Sequence, residues 1–232
     1  LNLTWEVREG IVKHKTEYDK GLSGGYEPEK AATIEGQIVN AADEIAYNSH
    51  DLDDGLRAGL LKPGDLKGLA LWEEALATIS QDSSQDSQEL SEMARHCLIR
   101  RLIDVMVTDV IGETHRRLEK EAPRSAEELR NLLFNVVDFS AAMEVKNREL
   151  KAFLMAHFYL HYRLVRMSAK AKRCITELFQ AYLTEPAQLP DSTQQRLQED
   201  TVHRVICDYI AGMTDRYALE EYQKLFDPFV RV

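Results

Sequence analysis

No stretch of this sequence alternates apolar and polar residues with a period of two between turn residues, so strands are not expected beyond incidental pairs. Apolar residues recur instead at helical spacing. In Thr33–Leu60, Ile34, Ile38, Ala41 and Ile45 fall within about 60° of one another at roughly 100° per residue, which predicts a helix with those four on its core face. Helices are likewise predicted over Thr4–Lys15, Leu66–Ser80 and Leu90–Glu119, the last with Leu98, Leu102, Val105 and Ile111 inward. A short helix restarts at Pro123 and Ser125, with Glu127 and Glu128 in a first turn that favours carboxylates, and ends near Phe134. Met143–Phe158, Val165–Leu183 and Thr201–Phe226 complete the set, the last as one long helix or a pair.

The breaks have their own chemistry. Gly21, Gly24, Gly25 and Pro28 make Tyr18–Lys30 an expected mobile loop. Lys62-Pro63-Gly64-Asp65 reads as a turn with Asp65 placed to cap the next helix. The Ser/Gln/Asp cluster Ser80–Ser87 has no apolar residue to bury and reads as a solvated linker or a frayed helix start. Pro186 and Pro190 stop the Val165–Leu183 helix. Tyr209, Met213, Tyr217, Tyr222 and Phe226 are read as core, not as a cofactor box.

With 44% hydrophobic and 29% charged residues the composition is that of a soluble globular protein, and no apolar run approaches the roughly 20 residues of a membrane span. The net charge of −10 argues against nucleic acid or anionic lipid binding over the whole surface, while leaving room for a local cationic site. Cys97, Cys174 and Cys207 are widely spaced in apolar helical patterns and read as small buried residues, reduced in a cytoplasmic setting. Neither GxxxxGK[ST] nor GxGxxG occurs, and no Ser, Cys or Thr sits in a nucleophile context, so any phosphate chemistry needs another device. Leu1 opens the chain without a targeting peptide, and the chain reads as a fragment.

On the Thr33–Leu60 helix, Asp43, Tyr47 and Asp51 stand at i, i+4 and i+8, with His50 and Asp54 beside them, roughly opposite the isoleucine face. Such a row is either solvated or turned toward a polar cavity. A carboxylate there offers a divalent cation one oxygen ligand, and the next turns offer hydroxyl and carboxylate partners to a sugar. The HDLDD run at His50–Asp54 cannot converge on one ion, because adjacent helical residues point about 100° apart. His157 and His161 have zinc-compatible spacing but no acid placed as in HExxH, and read as a packed or solvent-facing pair.

Four segments in order, LNLTWEVREGIVKHK (Leu1–Lys15), QIVNAADEIAYNSHDLDDGLRAGL (Gln37–Leu60), NRELKAFL (Asn147–Leu154) and DYIAGMTDRYALEEYQKLF (Asp208–Phe226), resemble the dGTP triphosphohydrolase-like family of HD-domain enzymes. The resemblance implies an all-α fold, an HD-domain-like helical bundle with a C-terminal helical extension, divided into residues 1–120 and 121–232. It implies hydrolysis of a deoxynucleoside triphosphate to deoxynucleoside and tripolyphosphate, with Mg²⁺ or Mn²⁺ held by two His and two Asp in an H…HD…D pattern. Asp43 matches the last Asp of that pattern, as metal ligand. Tyr47 and Asp51 match positions facing the deoxyribose, the Asp accepting from the 3′-hydroxyl and the Tyr filling the space of a 2′-hydroxyl. Lys13 matches a triphosphate-contacting Lys, and Arg148 and Arg166 are further phosphate candidates.

The sequence also departs from the family pattern. No metal-motif His-Asp precedes Asp43, and the only HD, His50-Asp51, follows it on the same helix. Three of the four metal ligands are therefore absent from these residues, and the chain by itself is expected to be inactive. The resemblance further implies a homo-oligomer. The alternative is a noncatalytic helical module for nucleotide binding or oligomerisation, and the plainest reading is a structural domain whose acidic row faces water.

Overall fold

The computed structural model describes residues 2–14, 25–77 and 90–231, and among these the regular elements are all helical. They are α1 (Trp5–Val12), α2 (Ile34–Arg57), α3 (Ala70–Ala77), α4 (Glu92–Glu121), α5 (Ala126–Arg130), α6 (Ala141–Leu154), α7 (Tyr162–Thr184), α8 (Asp191–Gln194), α9 (Val202–Ala211) and α10 (Asp215–Phe226). The expected all-α class is the observed one. The whole linker Ser80–Ser87 and residues 18–24 of the Tyr18–Lys30 loop lie outside the described residues.

Hydroxyl caps set the starts. Thr4, Thr33, Ser91, Ser125, Ser140, Thr201 and Thr214 each accept a hydrogen bond from a backbone N–H in the first turn of the following helix, satisfying a donor that the helix itself cannot. Asp65 acts differently from expectation. Its carboxylate accepts from the Lys62 N–H within a 3₁₀ turn, Pro63–Leu66, and left-handed Gly68 (φ 91°) then delays α3 to Ala70. The 201–226 region is a pair of helices, parted at Gly212–Thr214.

Residue contacts divide the chain into two units, 1–159 and 160–232. The expected 120/121 boundary falls at the end of α4, inside the first of them. In the first unit α2 packs on α4 and α6, α3 packs on the same two helices, and α1 lies on α2. Gly55 permits the closest approach, since a Cβ there would stand 2.6 Å from Leu61 Cδ1.

The inward face of α2 shares only Ile45 with the face expected from Ile34, Ile38, Ala41 and Ile45. Gln37, Ile45, Asn48, Ser49, Leu52 and Gly55 are buried, whereas Ile38 is 51% exposed. Gln37 turns the helix this way because its amide satisfies three backbone groups, donating to Ala32 O and accepting from Val136 N and Val137 N. On α4, Leu98 and Leu102 are buried as expected, but Met106 and Val110 take the inward positions and Ile111 is 64% exposed.

In the second unit α7 packs on α9 and α10 around Cys174, Leu178, Tyr182, Leu189, Val205 and Ile206. Tyr209, Met213 and Tyr222 pack against this cluster, while Tyr217 and Phe226 are exposed. Of the cysteines only Cys174 is buried; Cys97 and Cys207 are exposed, their helices turning other residues inward.

Candidate functional site

The Asp43–Tyr47–Asp51 row does not run parallel to the helix axis. Each step of four residues advances about 400°, so the row winds by about 40° per step. Asp43 and Tyr47 are exposed, and Asp51 reaches the edge of the core. There Tyr159, delivered by a π-helical turn (Met155–Tyr159) that extends α6, donates its hydroxyl to Asp51 Oδ2. Its ring stacks against Tyr47 at 6.2 Å between centroids and 25° between planes.

Burial pushes the Asp51 carboxyl up from its ordinary range, against the opposing hydrogen bond from Tyr159. Burial also pushes the Tyr159 phenol up, and the Asp51 carboxylate adds to that. The phenol is therefore a fixed donor, and it occupies one carboxylate oxygen of Asp51 while leaving the other. Tyr159 falls between the expected helices Met143–Phe158 and Val165–Leu183. Its aromatic character was visible, but the π turn that aims it at Asp51 was not.

At the other end of the row, α1 carries Glu9 and Lys13 one turn apart. Glu9 is fully buried and accepts from Lys13 Nζ at 2.7 Å and from Arg130 Nη2 at 2.5 Å. Lys13 also donates to Lys30 O at 2.9 Å, so two of its three ammonium donors are used. Arg130 reaches Glu27 at 2.9 Å as well, and its guanidinium lies 5.3 Å from the Trp5 ring centre. Burial works against the Arg130 charge, but the hydrogen bonds and fields of Glu27 and Glu9 outweigh it and raise its pKa.

Lys13 lines a cleft of about 390 Å³ with Lys30, Gln37, Asn40, Glu44 and Asp138 among its walls. Glu44 is held by Asn147 at 2.5 Å and Lys151 at 2.8 Å. Asp43 stands beside this cleft, not among its lining residues, and its Oδ2 lies 3.6 Å from His14 Nε2 while His14 Nδ1 meets Asn40 Oδ1. Asp43 and His14 thus give two donors on adjacent elements. Among the described residues no group of three His, Cys, Asp or Glu converges as a metal site, so these residues by themselves do not fit a divalent ion.

The remaining candidates disperse. His50 and Asp54 are exposed, and Asp53 between them pairs with Arg95. His157 stacks on Phe153 at 4.5 Å, and His161 caps α7 by accepting from Arg163 N. Arg148 pairs with Glu144 at 2.5 Å in solvent, and the Arg166 guanidinium lies 5.5 Å from the Tyr162 ring centre.

Residues 137–224 match the family model of the phosphohydrolase-associated domain. The chain is related over its whole length to deoxyguanosinetriphosphate triphosphohydrolase-like proteins. It is 43% identical to the one from Geobacter sulfurreducens, over 100% of this chain and 60% of that protein. It is 40% identical to the like protein 1 of Mesorhizobium japonicum, over 98% and 60%, and 38% identical to that of Leptospira interrogans, over 97% and 59%. The chain spans about 60% of the length of these curated relatives.

Proposed function

We propose that this chain is the substrate-holding portion of a deoxynucleoside triphosphate triphosphohydrolase. The observation that carries the reading is that Tyr47 and Asp51, which Tyr159 stacks against and hydrogen-bonds, share a helix with Asp43, with Lys13 in the cleft near that helix's first turns. The kinship with proteins named for dGTP triphosphohydrolysis supports it.

In this reading the free oxygen of Asp51 accepts from the 3′-hydroxyl, and the Tyr47 ring fills the space a 2′-hydroxyl would need. Tyr159 keeps the Asp51 carboxylate in one orientation. Lys13, held in place by Glu9, offers its remaining donor to the triphosphate, where a compact ammonium offsets phosphate charge in a partly buried cleft. Asp43 would give Mg²⁺ or Mn²⁺ one carboxylate oxygen, the remaining ligands not being among the described residues, and a bound ion would polarise phosphate and water. The assembled enzyme acts as a cytoplasmic homo-oligomer.

The test uses the polypeptide at the length of its relatives, supplied with Mn²⁺ or Mg²⁺ and each deoxynucleoside triphosphate, with tripolyphosphate release as the readout. Turnover lost in Asp43→Ala at unchanged helix content supports the reading. Nucleotide binding without turnover in the unaltered protein selects the noncatalytic binding module instead.

A further inference from the structure

Behind Lys13 the chain builds a cluster of alternating charge from three separate segments: Glu9 on α1, Glu27 and Lys30 ahead of α2, and Glu127 and Arg130 on α5. Arg130 joins all three. Its Nη2 donates to Glu9 Oε1 at 2.5 Å and to Glu27 Oε2 at 2.9 Å, and its Nη1 donates to Glu127 Oε2 at 3.3 Å. Lys30 closes the circuit, donating to Glu27 at 2.8 Å and to Glu127 at 2.5 Å, while Ala31 N donates to Arg130 O at 2.8 Å. The Trp5 ring covers the guanidinium and lies 5.6 Å from Tyr26, a residue of the cleft wall. Glu27 itself sits at φ 24°, a backbone conformation that a residue with a Cβ adopts only when its surroundings hold it there.

We propose that Arg130 is a positioning residue for the triphosphate, acting through Glu9 on Lys13. Lys13 and Arg130 donate to the same oxygen, Glu9 Oε1. Glu9 is fully buried, so water screens its charge little, and a carboxylate 2.7 Å behind Lys13 opposes any anion that approaches the ammonium from the cleft. Arg130 offsets that charge. Besides Lys13, the cluster sets two cations, Arg130 and Lys30, against the three carboxylates Glu9, Glu27 and Glu127. Without Arg130 only Lys30 would remain, and it touches Glu27 and Glu127 but not Glu9. Glu9 would then be left to Lys13 alone, and the Lys13 charge would be spent inward. Arg130 thus leaves Lys13 fixed at the cleft wall by Glu9 and by Lys30 O, with its charge available to phosphate.

The inference rests on the proposed contact between Lys13 and the triphosphate, and the experiment separates the two. Calorimetry in EDTA, on the protein at its relatives' length, compares dGTP with deoxyguanosine, which lacks the phosphates. A parent that does not bind dGTP, or a Lys13→Ala variant that binds it like the parent, overturns both. With dGTP binding weakened in Lys13→Ala, Arg130→Gln should bind dGTP about 10-fold more weakly and deoxyguanosine as the parent does. Glu9→Gln/Arg130→Gln, which removes the buried charge together with its partner, should regain most of that affinity. Parent-like dGTP affinity in Arg130→Gln, an equal loss for both ligands, or a double variant no tighter than Arg130→Gln overturns this inference and leaves the Lys13 contact standing. Where Arg130→Gln does not fold, Arg130→Lys takes its place. It keeps the charge but lacks the fork that reaches Glu9, Glu27 and Glu127 at once, so weaker dGTP binding is expected and parent-like binding overturns the inference.

Discussion

Asn48 and Asn147, on α2 and α6 and 99 residues apart, are both buried and joined by a 2.8 Å hydrogen bond from Asn48 Nδ2 to Asn147 Oδ1. Asn147 then donates to Glu44 at 2.5 Å, so one amide links the core seam of α2 to a carboxylate of the cleft. Replacing it with Leu leaves a buried donor on Asn48 without a partner. Asn147→Leu should cost about 1–3 kcal/mol, read as a lower urea midpoint at unchanged slope. An unchanged midpoint would show that the two asparagines are not coupled.

Glu9 is the buried counter-charge to both Lys13 and Arg130. Removing one partner from a buried ion cluster leaves uncompensated charge, so Glu9→Gln should destabilise by about 3–5 kcal/mol. Chemical denaturation measures it. Glu9→Asp, one methylene shorter but still charged, should recover part of the loss, which a purely steric role for Glu9 would not produce.

Asp51 has a folded pKa raised by burial, so its contribution to stability is fully present below its unfolded pKa and is lost as pH rises through the folded value. Asp51→Asn removes the buried charge while retaining a carbonyl that accepts from Tyr159. The variant should melt no lower than the parent at pH 7, yet bind dGTP more weakly in calorimetry on the protein at its relatives' length. A melting temperature several degrees lower would contradict the sign of this argument.

Glu113 is held down to about 2 from an ordinary 4.5 by hydrogen bonds from Arg116 and Arg117. A depressed carboxylate stabilises the fold above its unfolded pKa, and that contribution disappears as pH falls from about 4.5 toward 2. Melting temperature should therefore drop over that window. Glu113→Gln should shrink the drop while lowering stability at pH 7, because Arg117, which also bonds Asn135 O and Phe139 O, loses its shorter carboxylate contact and keeps only Asp138 at 3.3 Å.

The helical class and most helix spans were legible in the sequence because they depend on residues three or four apart, a range over which backbone geometry is fixed. The row Asp43, Tyr47, Asp51 was legible for the same reason, whereas Lys13 was singled out by the family resemblance alone. The inward face of α2 was not, because Gln37 is buried by backbone groups of Val136 and Val137 some hundred residues away, and a polar residue gives no hydrophobic signal. Nor were Tyr159, Glu9 with Arg130, or Asn147 with Glu44, each of which acquires its role from a partner distant in the chain. Periodicity thus determined what could be a helix and which side chains share a row. Only the packing of helices against one another decided which side of each row leaves water, since burial depends on which polar atoms find partners, and those partners lie on other elements.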